Sequence, residues 1–99
     1  YIYTVLPEKD VDGLHFINAG KLLYGNPKGD AFAPCAARAC YELIKSTNES
    51  IEDKHVVIVG ASKLVGSPLA NMLKNENATV TLCHNKTNSL QEFCKSADI

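Results

Sequence analysis

The run His55-Val56-Val57-Ile58-Val59, which ends at Gly60, constrains this chain more than any other stretch. Four successive β-branched residues with no polar alternation suit a strand covered on both faces, as in a parallel sheet. A glycine-bounded turn, Gly60 to Gly66, comes next, and Ser67-Pro68 then offers a helix start, since proline is tolerated in a first turn. Leu69, Met72 and Leu73 supply the core stripe of that helix. Ala78-Thr79-Val80-Thr81-Leu82 reads as a second strand. Thr87 or Asn88 is expected to cap a further helix whose buried face is Leu90, Phe93, Cys94 and Ala97. Asp98-Ile99 looks like the start of a third strand. Strand, glycine turn, helix, strand and helix in this order imply right-handed parallel crossovers, and so the first half of a Rossmann-like, doubly wound parallel sheet. Such a sheet reads as half built, with an uncovered apolar edge. The sequence is therefore expected to be truncated at its end, and at its start as well.

The first half is less regular. Residues 1–7 (Tyr-Ile-Tyr-Thr-Val-Leu-Pro) are expected to form a short strand ending at a proline. Glu8 to Gly13 is a polar loop in which Gly13 permits backbone angles that other residues avoid. Residues 14–33 carry three glycines and a proline, and read as mainly loop with a helical turn around Ile17–Leu23. After Pro34 a firmer helix runs to about Lys45, with Ala39, Cys40, Leu43 and Ile44 as its apolar stripe. Residues 46–50 are a polar break.

Composition mainly excludes. A formal net charge of -1, with basic residues scattered along the chain, gives no footprint for nucleic acid or an anionic membrane. No apolar stretch reaches membrane-spanning length, and no signal peptide is visible. The four cysteines (Cys35, Cys40, Cys83 and Cys94) form no CxxC pair and no metal set, and read as reduced, mostly structural thiols. Three Asn-X-Ser/Thr triplets, at Asn48, Asn77 and Asn85, are of a kind common by chance. A cytoplasmic location is expected, with a mitochondrial one as the other option.

Chemistry concentrates in the turn Gly60-Ala61-Ser62-Lys63-Leu64-Val65-Gly66-Ser67-Pro68. It follows a buried strand and opens a helix, where backbone N–H groups and the helix dipole can hold a phosphate. It is neither G-x-G-x-x-G nor a P-loop, so spacing alone leaves a nucleotide site and a plain strand–helix connection both open. His84, Asn85 and Thr87 follow the second strand, at the carboxyl edge where such folds bind ligands. His84 there is either a cofactor contact or a solvated loop residue. Asp12, by itself, reads as a loop residue capping its own backbone.

Three motifs, in order, resemble the methylenetetrahydrofolate dehydrogenase/cyclohydrolase family. Lys9-Asp10-Val11-Asp12-Gly13 with Asn18-Ala19-Gly20 is similar to its folate-side signature. Gly-x-Ser-x-x-Val-Gly-x-Pro over residues 60–68 is similar to its nucleotide-binding turn. Residues 78–87, Ala-Thr-Val-Thr-Leu-Cys-His-Asn-Lys-Thr, are similar to its next strand and loop. The resemblance spans nearly all of the chain. It implies residues 1–46 as part of the folate/catalytic α/β domain with its connecting helix, and 47–99 as the N-terminal half of the NAD(P)-binding domain. Asp12 and Gly13 would bind folate, the Asp12 carboxylate accepting from the pterin as a pair of hydrogen bonds. Gly60, Ala61, Ser62, Val65, Gly66, His84, Asn85 and Thr87 would line the NADP or NAD site.

The implied activity is oxidation of 5,10-methylenetetrahydrofolate to 5,10-methenyltetrahydrofolate with NAD(P), the nicotinamide taking the hydride. Cyclohydrolase activity giving 10-formyltetrahydrofolate would accompany it in a bifunctional enzyme, and homodimers are typical of the full-length proteins. The tyrosine and lysine that carry the chemistry in relatives would lie upstream of Tyr1, so this chain offers no catalytic residue, and no metal site is expected. It also departs from the pattern. It has Val5-Leu6-Pro7 where relatives show Gln-Leu-Pro, and Pro34-Cys35-Ala36-Ala37 where they show Pro-Cys-Thr-Pro. The connection from Leu-Pro to the Asp-Val-Asp-Gly loop is also short, as if by deletion or by residues missing between Pro7 and Glu8. These departures keep two rivals open: a non-catalytic folate- or nucleotide-binding copy, and a Rossmann-like domain of unrelated function. Ala61 stands where an arginine would grip the 2′-phosphate of NADP, leaving Lys63, Lys86 or a residue elsewhere to substitute.

Overall fold

A computed structural model describes residues 4–99. Its elements run α1 (Phe16–Leu23), α2 (Cys35–Ser46), β1 (His55–Val59), α3 (Gly66–Lys74), β2 (Thr79–Cys83) and α4 (Leu90–Ser96). β1 falls where the β-branched run ends at Gly60, and β2 starts one residue later than expected. The two strands pair in parallel, with His55 opposite Thr79 and Val59 opposite Cys83.

The backbone of β1 also bonds on its other side. The amides of Asp98 and Ile99 both donate to the His55 carbonyl, and the Val57 amide donates to the Ile99 carbonyl at 3.0 Å. One residue bonding two positions that flank a third is the parallel pattern. The chain therefore passes from β2 across β1 to a new position on the opposite edge, as the sequence implied for Asp98-Ile99. With right-handed crossovers, the reversal puts α3 and α4 on opposite faces and makes β1 the point where strand order turns.

The core lies where α1, α2 and α3 meet the sheet. Leu22, Ala37, Ile51, Val56, Leu69, Met72 and Leu73 are buried together, and Leu73 and Ala37 are fully enclosed. Burying one leucine side chain contributes about 1.5–3 kcal/mol. Tyr41 ties α2 to the end of α3, its hydroxyl donating to Glu76, which Lys45 also approaches at 3.4 Å.

Four local expectations change. Residues 1–3 of the anticipated strand lie outside the described residues, and 4–7 join no ladder. Pro7, with its fixed φ and missing N–H, instead opens a 3-10 turn over Pro7–Lys9. In α2 the buried side is Ala37 with half-buried Cys40 and Ile44, while Leu43 is 68% exposed and Ala39 is also outside. Packing against α3 through Tyr41 rotates the helix away from the stripe that spacing alone selects. Third, α4 buries none of its residues, and Phe93 and Cys94 are exposed, the helix packing mainly against β1. Fourth, Thr87 does not cap α4. Ser89, in a left-handed conformation, holds that position, and the Thr87 hydroxyl accepts from the His84 amide.

Candidate functional site: a cleft between two loops and the end of the sheet

The turn after β1 is held by its own side chains. Ser62 Oγ accepts from the amides of Val65 at 3.1 Å and Gly66 at 3.4 Å, and Ser67 Oγ donates to the Ala61 carbonyl at 3.2 Å. The Ser67 amide closes onto the Ser62 carbonyl at 2.9 Å. Gly60 takes φ 129°, a conformation open to glycine. Gly66 is buried so tightly that a Cβ on it would overlap the Gly60 carbonyl oxygen. The turn thus doubles back onto the first residues of α3 and leaves residues 60–64 exposed at the helix N-terminus. Small residues at 60–62, a lysine at 63 and the hydroxyls of Ser62 and Ser67, at the positive end of a nine-residue helix, fit a bound pyrophosphate.

The loop after β2 adjoins this turn, because the Gly60 amide donates to the Cys83 carbonyl at 2.9 Å. There the His84 amide donates to Thr87 Oγ1 at 2.9 Å, the Thr87 amide to the His84 carbonyl at 3.0 Å, and the Lys86 amide to His84 Nδ1 at 3.0 Å. His84 and Asn85 are exposed, and Thr87 is half-buried.

The third piece is the loop before α1. Asp10 organises it, accepting from the amides of Leu14 at 3.2 Å and His15 at 2.8 Å and from Asn18 Nδ2 at 2.9 Å. Burial pushes the Asp10 carboxyl upward, but the bonds from Asn18, His15, Leu14 and Gly13 outweigh it and hold the group below its ordinary value. Asn18 also donates to the Pro7 carbonyl at 2.7 Å, and its buried Oδ1 has no donor among the described residues. Gly13 has φ 68°, and a Cβ there would overlap the Phe32 carbonyl. Asp12 is exposed on the turn beside it.

A cleft of about 340 Å³ lies between the Asp10 loop and the turn, lined by Gly13, Leu14, Phe16, Lys63, Leu64 and Ser67 among others. The structure therefore brings Gly13 and the glycine turn to one cavity. Asp12, the residue before Gly13, is not part of its lining. His84, Asn85 and Thr87 stand apart from it, at the carboxyl end of β2 beside Gly60. Sequence reasoning gave Lys63 no place on the wall facing Gly13, and no spacing rule links residues fifty positions apart. The structural role of Asp10 and Asn18, which bond across eight residues at 2.9 Å, was also missed, because no local spacing rule joins them. Among the described residues no group of three or more His, Cys, Asp or Glu is placed to hold a metal ion, and no helix is long and apolar enough to cross a membrane.

Residues 34–99 match the family described as the tetrahydrofolate dehydrogenase/cyclohydrolase, NAD(P)-binding domain. The bifunctional protein FolD of Bacillus thuringiensis (strain Al Hakam) is 48% identical over 98 residues, which is 99% of this chain and 33% of that protein. The crystal structure of the bifunctional FolD methylenetetrahydrofolate dehydrogenase/cyclohydrolase from Campylobacter jejuni superposes with a TM-score of 0.90 at 41% identity, covering 98% of this chain and 34% of that one. The Trypanosoma brucei enzyme, solved with NADP cofactor and inhibitor, gives a TM-score of 0.90 at 34% identity, covering 98% and 33%. The chain thus spans about a third of the length of the relatives it matches. By sequence over its second two-thirds and by fold over nearly all of its length, this chain belongs to the tetrahydrofolate dehydrogenase/cyclohydrolase family.

Proposed function

We propose that the whole protein oxidises 5,10-methylenetetrahydrofolate to 5,10-methenyltetrahydrofolate with NADP or NAD, and that the cleft between the Asp10 loop and the glycine turn is where the two ligands meet. The observation that carries this reading is the cleft itself, with Gly13 on one wall and Lys63, Leu64 and Ser67 on the other. Residues 1–46 form part of the folate domain with its connecting helix, and residues 47–99 form half of the dinucleotide domain. The parallel pairing of β1 with β2 supports the second part, and the family match to the NAD(P)-binding domain takes in α2 as well, from Pro34 onward.

When bound, the nicotinamide cofactor supplies the hydride acceptor. The protein's part is binding and orientation. The turn Gly60, Ala61, Ser62, Val65 and Gly66 presents the α3 N-terminus to the pyrophosphate, with Ser62 fixing the turn's shape. His84, Asn85 and Thr87 border the adenosine half. Asp12, on an exposed turn beside Gly13 and with no hydrogen-bond or ion-pair partner among the described residues, accepts from the amino group and ring N–H of the pterin. The buried Gly13 turn sets its direction, and Phe16 and Leu64 supply apolar wall to the cleft beside it.

The same reading carries cyclohydrolase activity, as in the relatives described as bifunctional, together with a homodimer and a cytoplasmic or mitochondrial location. The test is nicotinamide reduction by the full chain with 5,10-methylenetetrahydrofolate and either NADP or NAD, alongside formation of 10-formyltetrahydrofolate. Asp12→Ala is expected to raise the folate KM by roughly tenfold or more, the loss expected for charge-assisted hydrogen bonds. A folded protein that binds folate but reduces neither nucleotide would establish a non-catalytic copy instead.

A further inference from the structure

Asn18 is buried in the first turn of α1, yet it spends its side chain on the loop before the helix. Its Nδ2 donates to the Pro7 carbonyl at 2.7 Å and to Asp10 Oδ2 at 2.9 Å. Those two acceptors bracket the 3-10 turn over Pro7–Lys9, whose own closing bond, from the Asp10 amide to the same Pro7 carbonyl, is long at 3.3 Å. One amide group therefore pins both ends of the segment that leads into Val11-Asp12-Gly13. On the far side of that turn the Asp10 carboxylate takes the amides of Leu14 and His15, and Gly13 is seated against the Phe32 carbonyl. Asp12 stands between these clamps with its side chain exposed.

Packing alone gives no reason for an amide at this place. Asn18 Oδ1 is buried with no donor among the described residues, and an unpaired buried acceptor is a cost that an apolar side chain would not carry. What the amide supplies instead is order in the loop. A carboxylate that must meet two donors on a planar ring binds best when its approach is fixed beforehand. A loop left to be ordered on binding takes that entropy out of the affinity.

We propose that Asn18 is a positioning residue for the folate: through Pro7 and Asp10 it holds the turn so that the Asp12 carboxylate faces the pterin. Asn18 acts on the ligand only through Asp12, and the proposal rests on the folate reading given above.

The experiment is steady-state kinetics of the full chain with 5,10-methylenetetrahydrofolate and whichever of NADP and NAD it reduces. The unaltered protein is compared with Asn18→Ala, Asn18→Ser, Asp12→Ala, the Asp12→Ala/Asn18→Ala double variant and Tyr41→Phe, with thermal unfolding of each as a check on folding. Asn18→Ala is expected to raise the folate KM by roughly tenfold and leave the dinucleotide KM unchanged. Asn18→Ser, which keeps a single donor, should fall between. In the Asp12→Ala background the Asn18→Ala change should add nothing to the folate KM, because the group it positions is gone. Tyr41→Phe loses a bond far from this loop and should leave the folate KM as it was. A folded Asn18→Ala protein with the parent's folate KM overturns the assignment. So does a loss that persists undiminished without the Asp12 carboxylate, or one shared equally by the dinucleotide, since either marks support of the fold alone. Should Asn18→Ala fail to fold, Asn18→Ser carries the same comparisons. An unaltered protein that reduces neither nucleotide overturns the folate reading, and the positioning role with it.

Discussion

Asp10 and Asn18 are locked together across the start of α1: the Asn18 side-chain amide donates to Asp10 Oδ2 at 2.9 Å, and the same carboxylate oxygen takes the His15 amide at 2.8 Å. Through this one side chain the loop carrying Asp12 and Gly13 is fastened to the helix that forms part of the cleft wall. Family motifs that mention both residues thus describe, in this chain, a fastening as much as a binding surface.

Removing that fastening has a defined cost. Asp10→Ala strands two backbone amides and the Asn18 amide, and is expected to lower stability by about 2–3 kcal/mol, since bonds to a charged group contribute about 1.5–3 kcal/mol. The pH dependence has a definite sign. The folded carboxyl is held below its ordinary 3.8, so its contribution is complete above that value and is lost as pH falls through the lower, folded one. Denaturant melts read by circular dichroism from about pH 5 downward should show this loss, and Asp10→Asn should flatten it.

Two glycines should respond in opposite directions. Gly66→Ala drives a methyl into the Gly60 carbonyl and is expected to destabilise by about 1–3 kcal/mol while reducing dinucleotide affinity. Gly20→Ala, inside α1 with open space around the new methyl, is expected to stabilise by roughly 0.5–1 kcal/mol. Thermal unfolding of both variants checks the contrast. A Gly66→Ala protein as stable as the parent would mean that the turn does not close on itself as described.

Tyr41→Phe keeps the ring, over which Arg38 and Lys45 sit at 5.6 and 5.4 Å, and removes only the hydroxyl that donates to Glu76. The expected loss is about 1 kcal/mol, because Glu76 is partly solvated. Burial and then the Glu76 bond hold the Tyr41 hydroxyl above its ordinary 10.0, so its share of stability is lost at alkaline pH as the folded value is passed. The bond from Tyr41, against a smaller opposing effect of burial and with help from Lys45, holds the Glu76 carboxyl below its ordinary 4.5, and that share is lost at acid pH. Titrating Tyr41 absorbance and comparing acid melts of the two proteins tests both limbs.

His55 joins three parts of the sheet. Nε2 meets Thr81 Oγ1 on β2 at 2.8 Å, Nδ1 meets the Ser96 carbonyl at 3.2 Å, and the backbone amide donates to Asp98 at 2.9 Å. His55→Ala should cost about 1–2 kcal/mol and loosen the chain beyond α4 first. Faster hydrogen exchange at the amides of Val57 and Ile99, with Leu69 and Leu73 unaffected, is the expected result.

The sequence by itself determined the parallel strands and the helix between them. A β-branched run closed by glycine, then Leu69, Met72 and Leu73 at helical spacing, are local signals. The helix stripe is buried as its spacing implied, whereas β1 is a strand with only Val56 buried and Val59 exposed, not covered on both faces. The family signature was equally legible, because motif residues keep their order along a chain. What only the tertiary structure decided was which of those residues share a space. Gly13 and Lys63 line one cleft, while Asp12, next to Gly13, does not. α2 turns Leu43 outward because Tyr41 reaches Glu76. Thr87 bonds the loop behind it rather than the helix ahead. Each is settled by contacts between residues distant in the chain or by rival partners for one donor, and neither a periodicity nor a spacing carries that information.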